Sequence, residues 1–170
     1  MAKSFNLVLA SLLAMLTAAC ASNPPGTDLS RFQSATIQVN PSDAHDAQEL
    51  KRLQSILSAA IQQNGPFPAL AGGEADPAST LTISVDVETI RRVSNAMRIS
   101  MGRTAGSNTV SARITLLDAS GDALTRFKLI AHSPLRTAIS PDWPWGDLKT
   151  AMERLGEQLA AQLTNWYNQE

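Results

Sequence analysis

Residues 81 to 88 alternate between apolar and polar side chains without exception. The apolar set is Leu81, Ile83, Val85 and Val87, and the polar set is Thr82, Ser84, Asp86 and Glu88. Because successive side chains of an extended strand point to opposite faces, this pattern predicts a strand with one buried and one polar face. Such a strand needs a covering layer on one side only, which favours a two-layer architecture.

Two later segments repeat this period of two. In the first, Val110, Ala112, Ile114 and Leu116 alternate with polar residues up to the turn signal DASGDA at 118–123. In the second, Phe127, Leu129 and Ala131 oppose Arg126, Lys128 and His132. These three strands are expected to form an antiparallel meander. A shorter strand, within SATIQVNP at 34–41, precedes them and stops at Pro41.

Two segments have helical spacing instead. Leu50, Leu53, Leu57, Ala60 and Ile61 predict an amphipathic helix of about twenty residues. Its expected N-cap is Ser42 or Asp43, and Asn64-Gly65 is expected to end it. The second helix carries Leu148, Met152, Leu155, Leu159, Leu163 and Trp166 and starts near Gly146 or Asp147. Gly156 lowers its helix propensity, so a neighbour is expected to pack closely there.

The element order is therefore β-α-β-β-β-α. We predict an α/β fold of the two-layer α+β sandwich type, with a four-stranded, mainly antiparallel sheet and both helices on one face. The 170 residues, of which 44% are hydrophobic and 17% charged, suit one domain over residues 34–170. The other sheet face would stay wet or meet a partner.

The N-terminus is the most apolar part of the chain. Lys3 precedes an apolar run from Leu7 to Ala19, which is broken only by Ser11 and Thr17. At ~1.5 Å per residue this run reaches roughly 20 Å as a helix, short of the ~30 Å hydrocarbon core of a bilayer. We interpret it as the hydrophobic region of a signal peptide. Cys20, the only cysteine, follows directly.

The sequence Leu16-Thr17-Ala18-Ala19-Cys20 resembles the lipobox of bacterial lipoproteins. The resemblance implies a signal peptide over residues 1–19, lipidation of Cys20 with fatty acids such as palmitate, and a tether over residues 20–33. Because Ala21 follows the cysteine, it also implies lipid anchoring at the periplasmic face of the outer membrane. The alternative is an ordinary secretory signal that ends at an Ala-x-Ala site, with Cys20 an incidental thiol.

A second resemblance covers residues 102–124, GRTAGSNTVSARITLLDASGDAL. Here small residues precede an alternating strand that ends in Leu-Asp and a glycine turn. The pattern is similar to uncharacterised families of small bacterial lipoproteins. The resemblance implies an α/β envelope domain and brings no catalytic residues.

Residues suited to catalysis are scarce. The two histidines are His45, beside acidic residues near a helix start, and His132, on the polar phase of a strand. Asp86 and Glu88 lie two apart on one strand face, which is typical of a solvated strand. The sequence has no zinc-ligand spacing, P-loop, GxGxxG or HExxH motif. We therefore expect no enzyme, metal or cofactor, and a hydrolase around His132 is the less favoured alternative.

Positive charge is concentrated in one part of the chain. Without residues 1–19, 13 basic and 15 acidic residues remain, a net charge of −2. Residues 89–141 contain eight basic residues against Asp118 and Asp122, a net charge of +6. Two interpretations follow. The basic side chains pair with Asp86 and Glu88 across the sheet, or they bind an anionic partner such as lipid headgroups or cell-wall polymer. Nucleic acid is not expected, because aromatic residues do not interleave with the cations.

Two further segments are candidates for partner binding. Met97, Ile99 and Met101 alternate with polar residues, which predicts either a hairpin extension that serves as a binding arm or a flexible loop within 89–108. Trp143 and Trp145 cap the core or form a binding hot spot. The candidate partner-binding residues are Arg91, Arg92, Met97, Arg98, Met101, Arg103, Arg113, Arg126, Lys128, Trp143 and Trp145.

These features favour a non-catalytic, membrane-anchored component of an envelope assembly, with an envelope protein as its partner. A module that binds an anionic or lipidic ligand between helices and sheet is the alternative.

Overall fold

The computed structural model describes residues 28–41, 44–67, 69–70, 76–101, 106–134 and 147–168. The strands are β1 (Ser34–Val39), β2 (Ala69–Leu70), β3 (Thr80–Arg91), β4 (Thr109–Leu117) and β5 (Ala123–His132). The helices are α1 (Ala47–Asn64), α2 (Asn95–Met101) and α3 (Leu148–Tyr167), with a 3-10 turn at Pro77–Ser79. The predicted α/β fold and its element order are confirmed, with the two-residue β2 and the short α2 added.

The strands form one sheet in the order β2-β1-β3-β4-β5. Strands β3, β4 and β5 form the predicted antiparallel meander. Strand β1 runs parallel to β3, since the crossover through α1 returns the chain to the same end of the sheet. The sheet is therefore mixed, with parallel ladders at β1.

The core lies between one face of the sheet and the helices α1 and α3. Leu53, Leu57, Ile83, Ile114, Leu155 and Leu159 in this layer are fully buried. In register, Ile37, Ile83 and Leu116 stand side by side on adjacent strands, which confirms the predicted buried face. Leu29 and Phe32, which the sequence placed in the tether, are also buried in this core. The folded part thus begins before β1.

The ends of α1 differ from the sequence prediction. The N-cap is Asp46, whose Oδ1 accepts hydrogen bonds from the backbone N–H of Gln48 at 2.6 Å and Glu49 at 3.3 Å. The prediction of Ser42 or Asp43 as cap was wrong, and His45 lies just before the cap. The predicted stop at Gly65 is confirmed, although its φ is −88°. Glycine is needed there because a Cβ would lie 2.6 Å from the carbonyl oxygen of Ile61.

Residues Asn95–Met101, after β3, form the helix α2 and are neither the hairpin extension nor the flexible loop that the sequence predicted. Met97 and Met101 fit both patterns, since they lie four positions apart and the three residues between them alternate in polarity. So short a stretch does not distinguish the two-residue period of a strand from the 3.6-residue period of a helix. Met97 and Met101 are exposed, so both side chains are accessible to a partner.

Gly156 lies where α3 packs on α1, which confirms the close neighbour that was predicted at this glycine. A Cβ built on it would stand 2.8 Å from the Cβ of Ala60. We expect Gly156→Ala to lower the free energy of unfolding by about 1–2 kcal/mol, because overpacking exceeds the gain of about 1 kcal/mol in helix propensity. Urea denaturation would measure the change. Ala60→Gly in the same chain should restore part of the loss, and a stabilised Gly156→Ala protein would contradict the close packing.

Candidate interaction surface on the outer sheet face

The face of β3, β4 and β5 that points away from α1 and α3 is here called the outer sheet face. It carries the polar phase of the three strands. Adjacent strands place Asp86 opposite Arg113, and Arg113 opposite Lys128. The next position places Thr115 opposite Arg126. The sequence prediction of a partly basic sheet face is therefore confirmed for these positions.

A β-bulge in β3 shapes this face. The register shifts between Val87 and Thr89, so Glu88 is the additional residue at this point. Beyond the bulge, Ile90 lies opposite Val110 and joins the buried face. The bulge keeps the apolar residues of a twelve-residue strand on the core side and leaves Glu88 pointing outward.

Glu88 joins two cations from two different strands. Its Oε1 lies 2.6 Å from a terminal guanidinium nitrogen of Arg113, and its Oε2 lies 2.6 Å from Nζ of Lys128. The predicted cross-strand pairing is thus confirmed for Glu88. Asp86, although opposite Arg113, accepts a hydrogen bond of 2.6 Å from Nδ2 of Asn40. One carboxylate therefore serves two cations, and the group of three has a net charge of +1.

The hydrogen bond from Lys128 lowers the pKa of Glu88 below its ordinary value of 4.5, and the nearby charges of Lys128 and Arg113 act in the same direction. Because the pKa is lower in the folded state, the ionised carboxylate favours folding above pH 4.5, and this contribution is lost as the pH falls through the folded pKa. We expect Glu88→Gln to make stability less dependent on pH below about 4.5. Urea midpoints at several acidic pH values would test this; curves of equal slope would contradict it.

Arg126 and Arg91 complete the cationic set. Nε of Arg126 donates to Oγ1 of Thr115 at 3.2 Å. Arg91 lies at the end of β3 opposite Thr109, and Oγ1 of Thr109 lies 3.0 Å from Nδ1 of His132. In the part of the chain that the structure describes, the salt bridges of this face all meet at Glu88, and neither Arg91 nor Arg126 takes part in one.

Ile130 is a residue of this face that sequence reasoning missed. It lies opposite Ser111 on β4, and its neighbours on the same side of β5 are Lys128 and His132. Its side chain is 47% exposed. The sequence did contain a signal for it, because Ile130 is an aliphatic residue at one of the positions of β5 that otherwise carry polar, outward-facing side chains.

Arg92 and Arg98, also predicted to bind a partner, do not belong to the strands of this face. Arg92 pairs with Glu49 near the start of α1 and thus lies toward the helical side of the sheet. Arg98 belongs to α2. The lipidation candidate Cys20 and the partner-binding candidates Arg103, Trp143 and Trp145 lie outside the described residues.

The described ranges contain neither a cluster of metal-ligating side chains nor a membrane-spanning helix. Within them, no three side chains of His, Cys, Asp or Glu come together as metal ligands would. None of the helices found there has the length and apolar character to cross a membrane.

Comparison with known proteins places the chain by its fold. No protein-family model and no curated protein matches it. Two structures of the PelC dodecamer from Paraburkholderia phytofirmans share the fold, with TM-scores of 0.54 and 0.52 and sequence identities of 17% and 15%. Each match covers 83% of this chain, and 95% and 96% of the PelC chains.

Two further structures resemble it less. A candidate lipoprotein from Caulobacter crescentus has a TM-score of 0.39 at 15% identity, over 81% of this chain and 90% of the other. A protein from Xanthomonas campestris has a TM-score of 0.43 at 14% identity, over 84% and 87%.

Proposed function

We propose that this chain is a bacterial envelope lipoprotein, held at the periplasmic face of the outer membrane by lipids on Cys20. Its folded domain acts without catalysis, as an interaction component of an envelope assembly. The outer sheet face supplies one of its interaction surfaces.

The observation that carries this proposal is the composition of the outer sheet face. Neither α1 nor α3 packs against it, because both cover the opposite side. It combines a surplus of cations with the exposed Ile130, and a strand face that served only for solubility would not need the isoleucine. The apolar N-terminal run that ends at Cys20 supports the location.

The shared fold is compatible with a role in an assembly. Both PelC structures are dodecamers, so domains of this topology are able to associate in high copy number. The described residues also offer the edge of β5 and the exposed Met97 and Met101 for contacts. These features support an accessory role built on protein contacts.

The environment of the histidines supports a role without catalysis. His132 is exposed at the end of β5, and its nearest hydrogen-bonding partner is the hydroxyl of Thr109. His45 lies just before the cap of α1 and is half-buried. Among the described residues, no carboxylate bonds to either histidine to orient it as a general base, as a catalytic triad requires.

A second candidate function is the binding of an anionic ligand. The cationic surplus of the outer sheet face favours it. The interface between helices and sheet, where the sequence suggested a ligand, is instead filled with fully buried side chains such as Leu57, Ile83 and Leu155. An anionic ligand would therefore bind on the outside of the sheet.

The anchor is tested by replacing Cys20. We expect Cys20→Ala to abolish incorporation of labelled palmitate and to move the protein from the membrane fraction to the soluble periplasmic fraction, because the thiol that carries the lipid is gone. Labelling in cells, followed by membrane fractionation, would measure both effects.

Ser22→Ala provides a matched control close to the same site and should keep label and location. A Cys20→Ala protein that is still fully labelled, or a wild-type protein that carries a free thiol, would overturn the proposal.

A further inference from the structure

The outer sheet face has an excess of positive charge. Its cations are Arg91, Arg113, Arg126 and Lys128, and its carboxylates are Asp86 and Glu88. With histidine neutral, four cations against two carboxylates leave a net charge of +2. The chain without its first 19 residues has a net charge of −2, so this face differs in sign from the molecule as a whole.

The cations are close together and only partly neutralised. Arg113 and Lys128 are opposite one another on adjacent strands, and Arg126 lies two residues from Lys128 along β5. These intervals correspond to about 5 Å and 7 Å. Glu88 is shared between Arg113 and Lys128, whose side chains remain 53% and 52% exposed. Anionic groups that approach from solvent can therefore reach both.

Ile130 favours a bilayer surface over a soluble polyanion. A polysaccharide or polyphosphate presents polar groups and has little to gain from an aliphatic side chain. A lipid surface presents phosphates for the cations and an acyl boundary for an isoleucine that is 47% exposed. The combination of basic residues with an exposed aliphatic one on a single face is typical of peripheral membrane binding.

The predicted lipid anchor on Cys20 keeps the outer sheet face close to the bilayer. Leu29 is fixed in the core, and eight residues separate it from Cys20. Fully extended, they span at most about 30 Å, which is comparable to the roughly 40 Å length of the twelve-residue β3. A tether of this length gives the domain a millimolar effective concentration at the bilayer, so even weak contacts are populated.

From this arrangement we infer that the outer sheet face binds the anionic headgroups of the bilayer to which the chain is tethered, through Arg113, Arg126 and Lys128 with Ile130 at the acyl boundary. The inference rests on the proposed lipid anchor for its setting. It assigns the sheet face to the membrane and leaves the β5 edge and α2 for protein partners.

The test uses residues 21–170 as a soluble protein without Cys20. Every core residue that the structure describes lies between Leu29 and Trp166, so this protein retains the whole described core. Its sedimentation with vesicles of phosphatidylcholine and phosphatidylglycerol is compared with that of pure phosphatidylcholine vesicles. We expect binding to the mixed vesicles only, and its loss at about 1 M salt, where the screening length falls to ~3 Å.

Three variants test the residues. Arg126→Gln/Lys128→Gln should weaken binding by about 25-fold, at roughly fivefold for each charge. Glu88→Gln should strengthen it about fivefold for the same reason. Lys51→Gln/Arg52→Gln removes two exposed cations from α1, behind the sheet, and should leave binding unchanged. Thermal melts of each variant by circular dichroism confirm that it is folded.

Several outcomes would overturn the inference. Equal binding to both vesicle types, or to neither at low salt, would remove the role of anionic lipid. An equal loss from the control pair on α1 would show attraction by net charge alone. Binding to soluble polyphosphate but not to vesicles would assign the face to a polymer. Because the test protein carries no lipid, these results are independent of palmitate labelling, so the anchor and the headgroup contact can fail separately.

Discussion

Leu57→Ala is expected to lower the free energy of unfolding by about 3 kcal/mol, with a range of roughly 2–5 kcal/mol for buried leucines. Leu57 is fully buried on α1, and its Cδ2 lies 3.7 Å from the position a Cβ would take on Gly156. The residue therefore fills the space where the two long helices meet above the sheet. Its removal costs transfer free energy and leaves a cavity that close-packed helices cannot collapse.

Urea denaturation followed by far-UV circular dichroism would measure this change. Leu148→Ala is a matched control, because the same side chain is removed from a half-buried position at the start of α3. It should cost only about 1 kcal/mol. A melting temperature lowered by roughly 10 °C is also expected for Leu57→Ala in a domain of this size. Equal losses for the two variants would contradict the placement of Leu57 at the centre of the core.

The strands could be predicted because their patterns were long. Residues 81–88 cover four full periods, and every apolar member of that run is buried at 9% exposure or less. The second long helix was equally clear, since its leucines keep one face over twenty residues. In both cases the pattern exceeds the length at which another period could fit by chance.

Shorter or context-dependent features could not be read in the same way. The seven residues of α2 fit a strand and a helix equally well. The direction of β1 depends on where the crossover through α1 returns the chain, which no local pattern records. The cap of α1 was ambiguous because Ser42, Asp43 and Asp46 are all capping residue types.

The candidate surface was predicted in its charges but not in its arrangement. Alternation placed Arg113, Arg126 and Lys128 on one face, and the register confirms it. That Glu88 joins two of these cations depends on the bulge at residues 87–89, which only the strand pairing reveals. Ile130 interrupts the polar phase and was passed over because a single exception rarely outweighs a regular pattern. An exposed aliphatic residue among polar ones indicates a surface that binds something and does not serve for solubility alone.

The second large effect is expected at Trp166, near the end of α3. Its side chain is 3% exposed, and its ring packs edge to face on Phe127 with centroids 4.9 Å apart. Its Nε1 is buried without a hydrogen-bond partner in the described structure. Trp166 therefore combines a large apolar contact, which favours folding, with an unsatisfied donor, which opposes it.

Two substitutions separate these contributions. Trp166→Ala should lower the free energy of unfolding by about 3–5 kcal/mol, because the whole aromatic contact is lost. Trp166→Phe keeps an aromatic ring against Phe127 and removes the orphaned N–H, whose desolvation costs roughly 1–3 kcal/mol, so its net effect should stay within about 1.5 kcal/mol of zero. Urea midpoints by circular dichroism would measure both. If Trp166→Phe proved as damaging as Trp166→Ala, the indole N–H would have to be satisfied in solution, and the large effect would come from that hydrogen bond instead of from packing.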